Sequence, residues 1–403
     1  FSRQTPFAAP RRLALLIEGL PANTPIEEIT AWGPPTRVAF KEGKPTKAAE
    51  AFAKKNGLDV NNLPTGMDGK EEKLMHISQS GGQPTAELMP SLVEHALATL
   101  PISKRMRWGA SRTEFVRPVQ WLAMLWDDAV IPATILGLAA SNTSRGHRFH
   151  ANCELTLTHA THYADILRQG YVMTSFEERK ALIAEQAKAE GQKLGGTAVI
   201  DDDLLDEVTA LNEWPVALAG SFDTEFLKVP AEALISSMAE HQKYFHVVDN
   251  NGQLMPNFIT VANIESKDPA QVIAGNEKVI RPRLADAAFF FETDKKTSQQ
   301  ARREKLRSVT FQGKLGSVFD KTERIAALAV FMAEQLKFDA TLALRAGELS
   351  KADLVSNMVY EFTDLQGIAG EYYALNDGEP GEIAKAMSEQ YLPKFAGDAL
   401  PST

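Results

Sequence analysis

YFHVVDNNGQLMPNFITVA, residues 244–262, decides the fold class. Residues 244–248 and 258–262 are rich in β-branched and aromatic side chains and read as strands. Asn251-Gly252 between them is a hairpin signal. Just upstream, residues 230–240 open with Pro230 in a first helical turn, where its missing N–H costs nothing. From Asp268 onward the pattern is helical almost to the end, broken near 313–316, at Asp339 and at Asp377-Gly378. Strands bracketed by helices make an α+β, multidomain protein.

Moving toward the N-terminus, residues 216–219 read as a short strand. Residues 204–212 read as a helix opened by Asp201-Asp202-Asp203, whose carboxylates suit a helix start. Residues 163–168 and 175–194 have helical spacing, the longer stretch stopping at Gly195-Gly196. Before about 156 the texture is mixed. Residues 11–40, with 37–40 among them, alternate apolar and polar groups between Pro and Gly breaks and read as strands. Residues 46–56 read as a helix stopped by Gly57, and 73–78 as a strand. Residues 85–100 read as an amphipathic helix with Leu88, Leu92, His95 or Ala96, and Thr99 on one side. Residues 115–125 and 129–136 look strand-like, and 141–150 form a basic turn. The chain is expected to divide into a mixed α+β region 1–150, an α/β middle region 151–310 and an all-helical region 311–403.

At 403 residues the chain is long enough for two to four domains. Its 44% apolar and 24% charged composition is that of a folded protein. No apolar run approaches the ~20 residues needed to cross a bilayer, so no membrane partner is expected. A single cysteine, Cys153, excludes an internal disulfide and a multi-cysteine zinc site, and fits a reducing cytoplasm. No secretion leader is recognisable, and both ends read as cut from a longer chain.

The net charge of −9 taken alone disfavours a polyanion partner. Its distribution favours one. Residues 101–150 carry seven Arg/Lys against three acids, and residues 275–325 carry twelve against seven. Residues 201–232 carry nine acids against Lys228, and 346–403 ten against three lysines. Two basic stretches on an otherwise acidic body suit a phosphate-binding groove.

Signatures of independent catalysis are missing: no G-x-x-x-x-G-K-[ST] phosphate loop, no G-x-G-x-x-G, no G-x-S-x-G and no His-Asp metal pair. His159 and His162 could ligate a metal from one helix face, but no carboxylate motif completes them, and a helix surface explains them better. Asp201-Asp202-Asp203 could hold a divalent cation, though a helix start is the stronger explanation. No catalytic residue and no metal ligand is assigned.

Six segments instead combine cations with aromatic, Gly or Pro neighbours. They are Arg11 and Arg12; Lys104, Arg105, Arg107 and Trp108; Arg117; Arg145, His147 and Arg148; His241, Lys243 and Tyr244; and Lys278, Arg281 and Arg283. A guanidinium donates two parallel hydrogen bonds to phosphate, and rings stack on unpaired bases. These sixteen side chains are the candidate RNA contacts. Any single pair serves equally well as internal cation–π packing.

As a set, these strings resemble the beta subunit of bacterial glycyl-tRNA synthetase of the heterotetrameric type. The resemblance is carried by residues 104–109, 145–149, 212–215, 229–234, 242–245, 275–291, 320–324 and 351–367, and runs along nearly the whole chain. It implies a chain that binds and positions tRNA(Gly) and docks an alpha subunit, two alpha with two beta. The alpha subunit would form glycyl-adenylate and transfer glycine, using ATP and Mg, with no cofactor in this chain. The resemblance also implies a longer family chain that ends in an anticodon-binding domain. Region 311–403 would be HD-like without metal ligands, with Lys351-Ala352-Asp353 where an active HD protein has its His-Asp pair. Asp353, Glu361 and Glu371 would be helix-surface or scaffold residues. The alternatives are a metal-dependent HD-type phosphohydrolase and a pure assembly scaffold.

Overall fold

Residues 1–69 and 71–403 are described by a computed structural model, and they gather into two units. One comprises Phe1–Phe7 with Leu13–Gly170, the other Ala8–Arg12 with Tyr171–Thr403.

In the first unit, Glu27–Pro35, Glu71–Ser80 and Thr65–Asp68 form an antiparallel sheet in that order. Beside it lies the Lys47–Asn56 helix, and Ala39, Ala49, Phe52 and Leu74 make a buried cluster. The expected strand over 37–40 is a helical turn, Thr36–Ala39. Pro34 and Pro35 cannot donate to a sheet ladder, so the strand ends there and the turn carries Ala39 into the core. The Thr85–Thr99 helix forms as expected, but its packed face is Met89, Val93 and Leu97 against Met124, Ile131 and Ile135. Leu92 stays 56% exposed. The expected face was one position, roughly 100° of helix rotation, out of phase. Both faces carry apolar residues, so periodicity alone could not choose. Residues 115–136 form two-residue strands, such as Leu125–Trp126 paired with Ala129–Val130, because Pro118 and Pro132 interrupt longer ladders.

The second unit is built on a four-stranded antiparallel sheet. Its order is Thr197–Ala198, Phe245–Val248, Leu254–Ala262 and Val216–Ser221. The expected hairpin turn is present: Asp249 Oδ1 accepts the N–H groups of Asn251 and Gln253 at 2.8 and 2.9 Å, and Gly252 takes φ +78°. On one side, Ile183 and Ala187 of Phe176–Lys193 and Leu205 and Val208 of Asp202–Leu211 meet Phe245, Val247 and Ile259. The Asp201 carboxylate accepts the Leu204 N–H at 2.9 Å, the helix start expected from the triple Asp. Phe258 instead packs with the long helix Pro269–Asp294, through Ile280, Leu284, Ala287 and Phe291. Each such Ile, Leu, Val or Phe side chain, fully buried, contributes about 1.5–3 kcal/mol.

This cluster continues to Met358, Phe362 and Tyr373 in the helical remainder of the chain. The region from 311, expected to be all helical, opens instead with a short hairpin that pairs Thr310–Gln312 with Gly316–Ser317, where Gly316 takes φ +85°. The Val318–Leu336 and Ala340–Leu349 helices approach closely, since a Cβ on Gly347 would lie 2.6 Å from the Ala326 Cα. The protein is therefore α+β, with several small sheets and a helical end.

Candidate nucleic-acid interface

Arg11 and Arg12 follow Pro10, and both reach Glu213, which is 2% exposed. Arg11 forms a two-pronged bond, Nε to Oε1 at 3.0 Å and Nη2 to Oε2 at 3.2 Å. Arg12, itself buried, also pairs with Oε1. Burial pushes the Glu213 pKa up, but the hydrogen bonds and charges of Arg11 and Arg12 outweigh it and hold it below the ordinary value. Glu213 is fixed in turn by its own N–H, donated to Asn263 Oδ1 at 2.7 Å. This cluster locks the Asn212–Pro215 segment in place.

In the first unit, Arg105 donates to the Leu97 and Ala98 carbonyls at 3.1 and 3.0 Å, closing the end of its preceding helix. Arg107 pairs with Glu114 across the Met106–Arg107 and Glu114–Phe115 strands. Trp108 is half-buried. Arg117 is exposed and donates to the carbonyl of its neighbour Val116. His147 is 1% exposed, its Nδ1 accepting the N–H groups of Phe149 and His150 at 3.2 Å, so it organises the turn from within. Arg145 and Arg148 are exposed on either side of it, with Phe149 74% exposed beside them. Lys104 is exposed and has no acidic partner among the described residues.

Two candidate segments far apart in sequence come together in the second unit. Tyr244 OH donates to Asn276 Oδ1 at 2.6 Å, tying residues 241–244 to the long helix. The Tyr244 ring stacks on Phe258 with centroids 4.6 Å apart, and burial pushes its phenol pKa up to about 12. Tyr244 is thus a structural tie. The backbone before it is unusual: Ser237–His241 is a π-helical turn, and Lys243 takes φ +58°. A non-glycine residue in that region carries strain, and such strain concentrates at working sites. His241 is exposed against the edge of Phe362, and Lys243 Nζ pairs with Glu207 at 2.9 Å. Beyond Asn276 the long helix presents Arg281 and Arg283 on opposite flanks of its buried stripe and Lys278 on the face away from it. All three are exposed and none has an acidic partner among the described residues.

Two groups of buried polar residues, around Asp294 and around Arg179, escaped the sequence reading. Asp294 Oδ2 accepts from Met358 N–H and Tyr373 OH, both at 2.9 Å, while the Arg302 guanidinium lies 4.5 Å from the Tyr373 ring centroid. Arg179, fully buried, donates to the carbonyls of Met173 and Ala8. Asp353 is 1% exposed and accepts the Gly367 and Gly370 N–H groups at 2.5 and 3.2 Å. Lys351 Nζ donates to Tyr391 OH at 2.9 Å. Both side chains are thereby engaged in packing, and phosphohydrolase chemistry at this point gains no support. The His159 and His162 rings lie tilted against each other, with centroids 5.5 Å apart. Among the described residues no three His, Cys, Asp or Glu gather closely enough to hold a metal ion. No described helix is long and apolar enough to cross a membrane.

The fold defines a multidomain α+β protein, net acidic, with exposed cations in each of its two units. The chain belongs to the glycyl-tRNA synthetase beta subunit family, whose model matches residues 1–403. It is 54% identical over 403 residues to the glycine–tRNA ligase beta subunit of Chromohalobacter salexigens, covering 100% of this chain and 59% of that protein. Against the beta subunit of Marinobacter nauticus it is 56% identical over 400 residues, 98% of this chain and 58% of the other. Against that of Hahella chejuensis it is 54% identical over 405 residues, 100% and 58%. The chain thus spans somewhat under three-fifths of these relatives' length.

Proposed function

We propose that this chain is the tRNA-gripping part of a glycine–tRNA ligase beta subunit. It holds tRNA(Gly) for an alpha subunit that forms glycyl-adenylate with ATP and Mg and transfers the glycine. The observation that carries this proposal is the family match along all of residues 1–403. The geometry is consistent with it. Exposed cations at Lys104, Arg117, Arg148, Lys278, Arg281 and Arg283 can meet phosphates, whereas Arg11, Arg12, His147 and Tyr244 are engaged inside the protein. Phosphate contacts of this kind orient a nucleic acid without reading its sequence. Orientation is itself catalytic in effect, because an aligned acceptor end reacts as though at very high local concentration.

A cytoplasmic assembly of two alpha and two beta chains belongs to the same proposal, as does a division of this chain near 150 and 310 with an HD-like helical region after it. Glycine transfer to tRNA(Gly) by the full-length beta subunit, with and without the alpha subunit, tests it. Transfer only in the mixture supports the proposal. Transfer by the beta subunit alone, or full activity of the alpha subunit without it, contradicts it.

A further inference from the structure

Residues 303–324 hold six basic side chains against three acidic ones, and none was among the sixteen candidate contacts. They surround the Thr310–Gln312 and Gly316–Ser317 hairpin and the start of the Val318–Leu336 helix. All three acids are already engaged. Asp320 accepts from the Ser317 N–H and hydroxyl at 2.7 and 2.8 Å, Glu304 pairs with Arg307 at 2.8 Å, and Glu323 pairs with the buried Arg303. Arg324 is held by the Leu315 carbonyl at 3.0 Å. Of the remaining cations, Lys321 is half-buried. Lys305 and Lys314 are exposed and have no acidic partner among the described residues, and Lys321 Nζ lies 4.2 Å from the centroid of the Phe311 ring, which is itself 42% exposed.

At this hairpin lies an open, mainly polar cleft lined by Arg307, Thr310, Gln312, Gly313, Gly316, Ser317 and Asp320, whose carboxylate is taken up by the Ser317 N–H and hydroxyl. Nothing lies within 4 Å of a Cβ built on Gly313, so its backbone is open to close approach. An exposed ring braced by an ammonium group, beside a polar cleft with glycine backbone and unpaired lysines, has the parts of a single-strand platform. Phosphates take the cations and a base takes the ring. An acidic protein surface would find the same charges, but it has less use for an exposed ring.

We infer that this hairpin and cleft form an additional contact for the sugar–phosphate backbone of an RNA strand, with Phe311 stacking on an unpaired base. The inference rests on the tRNA-gripping role proposed above and adds a site that the sequence reading did not include. Lys314 and Lys321 are the phosphate contacts; Arg307, lying 3.4 Å from the Phe319 ring centroid, is a positioning residue that supports the cleft wall.

The test uses the full-length beta subunit assembled with its alpha subunit and measures tRNA(Gly) affinity across a salt series. Lys314→Gln with Lys321→Gln should weaken binding five- to tenfold and reduce the steepness of log K against log salt by roughly 1.5, as loss of two phosphate contacts requires. Phe311→Leu, which keeps apolar bulk, should weaken binding while leaving the slope unchanged. Thermal melting confirms that each variant is folded. Wild-type assembly that binds tRNA, with variants identical to it in affinity and slope, overturns the inference and leaves the parent proposal standing. Wild-type assembly that binds no tRNA overturns the parent proposal instead. Variants that lose the alpha subunit while the beta subunit keeps its tRNA affinity also overturn the inference and make the hairpin a protein contact.

Discussion

Arg11 grips Glu213 across 202 residues of sequence, with both carboxylate oxygens met by one guanidinium. Arg12 adds a second cation to the same buried acid. A pair of arginines that looks from sequence like a phosphate-binding motif is, in the folded chain, the counter-charge of an internal glutamate.

Glu213→Gln should therefore behave as a stability mutation. It leaves Arg12 buried without its acid, which costs about 3–5 kcal/mol for comparable buried pairs. Urea denaturation at neutral pH measures this. The pH dependence follows from the depressed carboxyl pKa: the stabilisation is complete above the unfolded value near 4.5 and is lost as pH falls through the lower folded value. The Gln variant should lack that acid-side component.

Lys351 has the opposite kind of perturbation. Burial, reinforced by the charge of Lys321 and opposed by Asp353, pushes its ammonium pKa down to about 8 from 10.5. Between those two values the unfolded chain binds more protons than the folded one, so stability rises with pH across that window. Lys351→Met should remove this rise. Denaturation midpoints of both proteins between pH 8 and 10.5 check it; parallel pH profiles would show that Lys351 keeps its charge when folded.

Gly347→Ala places a methyl 2.6 Å from the Ala326 Cα, a backbone atom that cannot swing away. The two helices must separate, at a cost of about 1–3 kcal/mol, typical of overpacking. A melt of the Ala variant indistinguishable from wild type would show that this helix pair yields easily.

Much of the fold was legible because local chemistry set it: the Asn251-Gly252 hairpin, the Asp201 cap and the helix stopped by Gly57 all formed where their residues indicated. Where two answers shared the same periodicity the sequence was silent, as for the helix that packs through Val93 and not Leu92. The candidate interface divided along the same line. Exposure of Lys278, Arg281 and Arg283 follows from their places around the stripe made by Ile280 and Leu284. The burial of Arg12 and His147 depends on partners that no spacing rule brings near. The cations of residues 303–324 were visible only as net charge, because their significance lies in the hairpin that exposes Phe311.

The most direct measurement is the salt dependence of tRNA(Gly) binding by the full-length beta subunit, wild type against Lys278→Gln, Arg281→Gln and Arg283→Gln combined. If these exposed cations hold the RNA backbone, affinity drops and the slope of log K against log salt becomes shallower by about two, near 0.7 for each lost contact. A folded triple variant with unchanged affinity and unchanged slope would contradict the claim that this surface holds tRNA.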